Sequence, residues 1–191
     1  MINKKIILEA IFLFLLALVV VLPIRFFIFQ PFFVKYSSME PTYHNGDYLI
    51  VDELTYKFRS PQREEVVVFH YPLNPKELFI KRIIGLPGET LFVKDNKISI
   101  RYVYEDKILE EKYLHEGTFT PGNITITLKP DEYFVLGDNR EHSSDSRMWG
   151  PIKANSIIGR VILRPISLVG IQNFLKQNNF LNSANKFTPV K

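Results

Sequence analysis

The sequence predicts a mainly β domain carried behind one N-terminal transmembrane helix. Three observations lead there: an N-terminal apolar run long enough to span a bilayer, short β-branched and aromatic segments cut by turn residues over most of the remainder, and no apolar periodicity near 3.6 lasting a dozen residues beyond residue 33. The 191 residues are 46% hydrophobic and 23% charged, which excludes a disordered chain and allows one core of ordinary size. There is no cysteine, so disulfides, thiolate metal sites and a cysteine nucleophile are all excluded. The formal charge of +4 arises partly in residues 1 to 33, which hold three basic and one acidic side chain; the rest carries 21 basic against 19 acidic, a balance that argues against a nucleic-acid partner.

Ile6 to Ile24 contains 19 residues, 17 of them apolar, and is the expected anchor. Lys4 and Lys5 precede it, so the positive-inside rule puts residues 1 to 5 in the cytoplasm and everything after residue 33 outside. A cleaved signal peptide is the alternative. The run is longer than a usual signal-peptide core, however, and is followed by Arg25, Phe26, Phe27, Ile28 and Phe29 rather than by small residues. Phe26, Phe27, Phe29, Phe32 and Phe33 either lie at the membrane interface or begin the globular core, and both keep the domain close to lipid.

The main domain is expected from residue 34 to about 170, with strands at Phe32 to Tyr36, Asp47 to Glu53, Glu65 to Tyr71, Leu78 to Ile84, Thr90 to Val93, Lys97 to Tyr104, Asn123 to Leu128, Tyr133 to Leu136 and Ser156 to Arg164. Turns are expected at Asn45-Gly46, Gly85 to Gly88, Asp95-Asn96 and Pro121-Gly122. Glu105 to Thr120 is polar and weakly patterned, a loop or a ragged hairpin. Residues 171 to 191 read as a tail, a short helix and then a loose Asn-rich end.

Three segments combine turn residues with reactive groups. Tyr36-Ser37-Ser38-Met39-Glu40-Pro41-Thr42 places two hydroxyls after a strand, with Pro41 stiffening the exit. In Phe79-Ile80-Lys81-Arg82-Ile83-Ile84-Gly85 the period of two puts Phe79, Lys81 and Ile83 on one face and Ile80, Arg82 and Ile84 on the other. An edge strand with a protective lysine explains one such cation, not two on opposite faces. Gly137 to Gly150 is too polar for core and too rich in complementary charge for an arbitrary loop.

Together these segments resemble the type I signal peptidases, membrane-anchored serine proteases with a Ser/Lys dyad. The boxes are Ser38 to Thr42, Lys81 to Gly88 and Gly137 to Gly150, and the resemblance covers the chain from the anchor to about Pro165. It implies coiled antiparallel sheets, Ser38 as nucleophile, Lys81 as general base and Ser143 as the hydroxyl that orients the lysine. It further implies that Arg82, Asp138, Asp145 and Arg147 are ion pairs fixing the last loop against the lysine strand, and that Tyr36, Met39 and Pro41 line the substrate path. Two departures stand out: Tyr36 replaces the usual Ser or Gly two residues before the nucleophile, and Glu64-Glu65 replaces the usual Gly-Asp. Tyr36 either supplies its phenol to the oxyanion or crowds the site.

The residues support this chemistry independently. A serine hydroxyl needs a neighbour to take its proton, and His44, His70, His115 and His142 have no suitable triad spacing, which leaves a neutral lysine. Phe79 and Ile83 beside Lys81 exclude water and disfavour its ammonium, and Arg82 is expected to push the same way. A backbone amide at Ser38 would hold the oxyanion. No histidine or carboxylate set has ligand spacing, so neither a metal nor another cofactor is expected. The expected activity is removal of signal peptides from exported preproteins at the outer membrane face. The expected partners are signal peptides and membrane lipid, with secretion machinery possible and nucleic acid excluded. The alternative is a catalytically silent relative that assists assembly of surface fibres, which loss of the serine or the lysine would mark.

Overall fold

The computed structural model describes residues 4–27, 29–102 and 105–166. The N-terminal helix α1 (Lys4–Phe27) leads into β1 (Phe29–Phe33), β2 (Tyr48–Asp52), β3 (Val66–Tyr71), β4 (Asn74–Gly85), β5 (Thr90–Lys94), β6 (Lys97–Arg101), β7 (Asp106–Ile108), β8 (Ile124–Thr127) and β9 (Glu132–Leu136). A single helical turn, α2 (Ser146–Trp149), then precedes β10 (Ile152–Lys153) and β11 (Ile157–Ile166). One sheet of seven strands has the order β1-β2-β11-β3-β4-β9-β10, and a second of four strands has the order β7-β6-β5-β8. All pairings are antiparallel.

The period of two in β3, β4 and β9 explains why the larger sheet is buried on both faces. One face gathers Val67, Phe69, Ile83, Tyr133, Val135 and Ile152. The other is divided: Val66, Val68 and Ile80 pack with Val34, Met39, Leu49 and Val51, while Ile84, Phe134 and Leu136 pack against Leu91, Val93, Ile98 and Ile100 of the smaller sheet. The strand with two cations is thus central, between β3 and β9, and not an edge.

Most expected strands are present with shifted ends. The first lies at Phe29–Phe33 rather than Phe32 to Tyr36, because Tyr36 turns the chain at φ 75°. The fourth begins at Asn74, four residues earlier than expected, where a hairpin with β3 forms. The sixth ends at Arg101, and the remaining expected stretch runs into residues 103 and 104, outside the described residues. Asp95 and Asn96 both have positive φ, 50° and 61°, as a two-residue hairpin requires. β7 falls in the stretch expected as a loop or a ragged hairpin, while β10 and α2 have no counterpart among the expected elements. β7 is three exposed residues with no buried face to announce it.

Along α1, side chains are described for residues 4–5 and 7–19, and Leu8, Phe12, Leu13, Phe14 and Val19 are among the exposed apolar ones. The expected span from Ile6 to Ile24 runs beyond these, and among the described residues no helix is long and apolar enough to cross a membrane. The expected tail helix lies outside the described residues.

Candidate active site

The turn after β1 and the middle of β4 bring Ser38 and Lys81 together. Lys81 is 3% exposed, and its Nζ lies 2.6 Å from Ser38 Oγ and 3.0 Å from the Ile80 carbonyl oxygen. The Phe79 ring centroid is 5.3 Å from Nζ, and that ring stacks on Tyr71 at 4.3 Å; Phe69 and Trp149 complete the aromatic wall. With water excluded on this side, burial lowers the Lys81 pKa from 10.5 to about 8, against the opposing pull of Asp145 and Asp138. Arg82 does not contribute in the expected way. Its guanidinium is neutralised by Asp138, so carboxylates rather than a second cation dominate the electrostatics around the amine.

Arg82 points to the other face of β4. Its Nε and Nη2 donate to the two carboxylate oxygens of Asp138 at 2.8 and 2.5 Å, and Nη1 donates to the Glu64 carbonyl at 2.8 Å. Thr42 Oγ1 adds a bond to Asp138 at 2.6 Å, which ties the turn carrying Ser38 to the same carboxylate. This pair therefore joins the lysine strand to the loop from Gly137 onward. Asp145 and Arg147 do not: they pair with each other at 2.8 Å within the loop. Asp145 caps α2 and accepts from the Gly137 amide at 3.1 Å, and Arg147 donates to the Pro121 and Arg140 carbonyls. The Asp145–Arg147 pair shapes the loop and ties it to Pro121 rather than to β4.

Ser143 lies beside Gly137, where any Cβ would overlap both Ser143 Oγ and the Ser38 carbonyl oxygen, so only glycine permits this approach. The Ser143 hydroxyl is buried and has no hydrogen-bond partner among the described residues; its expected bond to the Lys81 amine is not made. Asn139 also holds the Ser38 turn, donating from its backbone to Ser38 O at 3.1 Å and from Nδ2 to Ser37 O at 3.1 Å. Arg140 was missed, although it is wholly enclosed. Its sequence signal is its place in the Gly137 to Gly150 box.

Ser38 and Lys81 open onto a cleft of about 640 Å³ whose walls include Phe32, Phe33, Tyr36, Leu78, Phe79 and His142. One wall is an open strand edge. β4 pairs with β9 only from Arg82 onward, so among the described residues Leu78 to Ile80 are paired with β3 on one side alone. The expected substrate contact at Met39 is overturned. Met39 is fully buried in the core beneath the Ser38 turn, where it fills space between strands. Pro41 is exposed but does not line the cleft. Tyr36 does line it, 73% exposed. Among the described residues the Ser38 amide makes no hydrogen bond within the chain and is free to donate. No group of three or more potential metal ligands occurs among the described residues.

The model of the family described as signal peptidase, peptidase S26, matches residues 7–166. The chain is 38% identical over 165 residues to probable signal peptidase I-1 of Synechocystis sp., covering 82% of this chain and 81% of that one. It is 38% identical over 159 residues to signal peptidase I of Bacillus caldolyticus, covering 78% and 85%. Against signal peptidase IB of Staphylococcus aureus it is 33% identical over 178 residues, covering 84% and 90%. A crystal structure of a signal peptidase I from Enterococcus faecalis is 33% identical, covers 55% of this chain and 98% of that one, and has a TM-score of 0.46.

Proposed function

Because the chain belongs to the signal peptidase family, peptidase S26, we propose that it is a membrane-anchored serine endopeptidase that removes signal peptides with Ser38 as nucleophile and neutral Lys81 as general base. The observation that carries this reading is the 2.6 Å contact between Lys81 Nζ and Ser38 Oγ at the base of an open cleft. In the uncharged amine, Nζ accepts the Ser38 hydroxyl proton while donating one of its own to the Ile80 carbonyl.

Ser38 Oγ attacks the scissile carbonyl carbon as its proton passes to Lys81. The oxyanion that forms is met by the free Ser38 amide. The Lys81 ammonium then returns the proton to the departing amine, and a water molecule activated by the same lysine hydrolyses the acyl-enzyme. Asp138 and Arg82 hold the two halves of the site in register. The Ser143 hydroxyl, buried and without a partner among the described residues, is the acceptor for the ammonium that forms when Lys81 takes the Ser38 proton.

The preprotein lies extended along the open edge of β4 at Leu78 to Ile80, adding main-chain hydrogen bonds, with Phe32, Phe79 and Ile80 limiting side chains near the cut to small ones. Residues 6–33 serve as anchor and interfacial segment, with Lys4 and Lys5 cytoplasmic and residues 34–170 outside. Both dyad residues are present and touching, which disfavours a silent assembly factor. The experiment is cleavage of a purified preprotein by the purified chain. Cleavage that Ser38→Ala abolishes supports the reading, and cleavage that survives Ser38→Ala, or none by the wild type, overturns it.

A further inference from the structure

We propose that Glu111 and Tyr113, in the segment between β7 and β8, are positioning residues for this reaction, clamping from outside the site the loop that carries Gly137, Asp138 and Ser143. The proposal rests on the peptidase reading above for its kinetic consequence and on geometry alone for the clamp itself. Arg140 has a fully enclosed side chain, and a guanidinium so placed must have its donors satisfied by fixed partners. Glu111 is the anionic one, accepting from Nη1 at 2.9 Å and from Nη2 at 2.5 Å. The remaining donors go to Thr120 Oγ1 at 3.0 Å and to the Gly137 carbonyl at 2.9 Å. Glu111 thus fixes Arg140, and Arg140 fixes the residue that is pressed against both Ser143 Oγ and the Ser38 carbonyl.

Tyr113 supplies a second route. Its hydroxyl donates to Glu111 at 2.5 Å and stands 3.3 Å from Arg140 Nη2, while its ring lies under Arg82 with the guanidinium carbon 4.0 Å from the centroid. Burial and the Glu111 carboxylate push this phenol upward in pKa, so it remains a donor at every working pH. Through Arg82 the ring steadies Asp138, and through Asp138 it steadies Thr42, four residues after Ser38. Two routes from one polar segment therefore converge on the turn and loop that frame the dyad. Neither Glu111 nor Tyr113 lines the cleft, so substrate affinity does not depend on them.

The test uses the full chain in detergent, comparing wild type with Glu111→Gln, Tyr113→Leu, Tyr113→Phe and the control Glu110→Gln, whose side chain is 79% exposed. Amide hydrogen exchange is followed over residues 137–147, and kcat and KM are measured on a preprotein. Glu111→Gln is expected to speed exchange in that loop and lower kcat, each at least tenfold, with KM within twofold and Glu110→Gln unchanged. Tyr113→Phe, which keeps the ring under Arg82, is expected to lose less than Tyr113→Leu. If Glu111→Gln does not fold, the two Tyr113 variants decide by the same order. Unchanged loop exchange, or a rise in KM with kcat intact, overturns the clamp. If the wild type cleaves no preprotein, the peptidase reading falls and the clamp is judged on exchange alone: faster exchange upholds it and unchanged exchange removes it.

Discussion

Arg82 and Asp138 meet through two parallel hydrogen bonds of 2.8 and 2.5 Å, and this fork is what joins the strand bearing Lys81 to the loop bearing Ser143. The Asp138 side chain is wholly buried and that of Arg82 is 9% exposed. Removing the acid leaves a buried cation uncompensated, which costs about 3–5 kcal/mol. Asp138→Asn is expected to lose stability on that scale and most activity, whereas Arg82→Lys, which keeps the charge but not the fork, loses less. Chemical denaturation with parallel rate measurements checks both; an Asp138→Asn variant with unchanged midpoint contradicts the role.

Ser143 separates structural from catalytic contributions. Its hydroxyl is buried without a partner among the described residues, so deleting it removes no ground-state hydrogen bond to them. Ser143→Ala is expected to melt at or above the wild-type temperature and to lose tenfold or more in kcat. Equal activity in the two proteins would show that the ammonium formed during turnover is stabilised elsewhere.

Lys81 destabilises the fold that it serves. A pKa lowered from 10.5 to about 8 means that the ammonium costs the folded state about 3 kcal/mol. The cost is full below the folded value. As pH rises from about 8 to 10.5 the unfolded chain holds a proton that the folded chain has released, and stability climbs. Lys81→Met is therefore expected to be inactive yet more stable at pH 7 by about 1–2 kcal/mol, after loss of the bonds to Ser38 and Ile80. The advantage should shrink toward pH 10. A constant difference across that range would mean that Lys81 is not held neutral by burial.

The sequence made the meeting of Ser38 and Lys81 legible because both lie in short-range patterns: a turn ending in Pro41, and an alternating strand whose face dictates that Lys81 shares surroundings with Phe79 and Ile83. The same alternation separated Lys81 from Arg82 correctly. What it did not convey was partnership across the fold. Asp145 and Arg147 are too close in the chain to reveal that they serve each other, and Met39 next to Ser38 gives no sign of pointing inward until Leu49 and Val51 are placed over it. Glu111 and Tyr113 lie in a segment without periodicity: Glu111 is held by ionic contacts, and Tyr113 adds a single ring to the core beside its contact with Arg82. The positive φ of 70° at Glu64 shows why glycine is usual there, and that its replacement alters a turn whose carbonyl still receives Arg82.

The pH dependence of kcat/KM on a preprotein tests the central claim most directly, because it reads the free enzyme's base. With Lys81 in that role, the rate rises as the ammonium loses its proton, with an apparent pKa near 8, and Lys81→Arg, which cannot deprotonate in the working range, is as inactive as Ser38→Ala. A rate already level below pH 6, or substantial activity in Lys81→Arg, would contradict the Ser38/Lys81 pair.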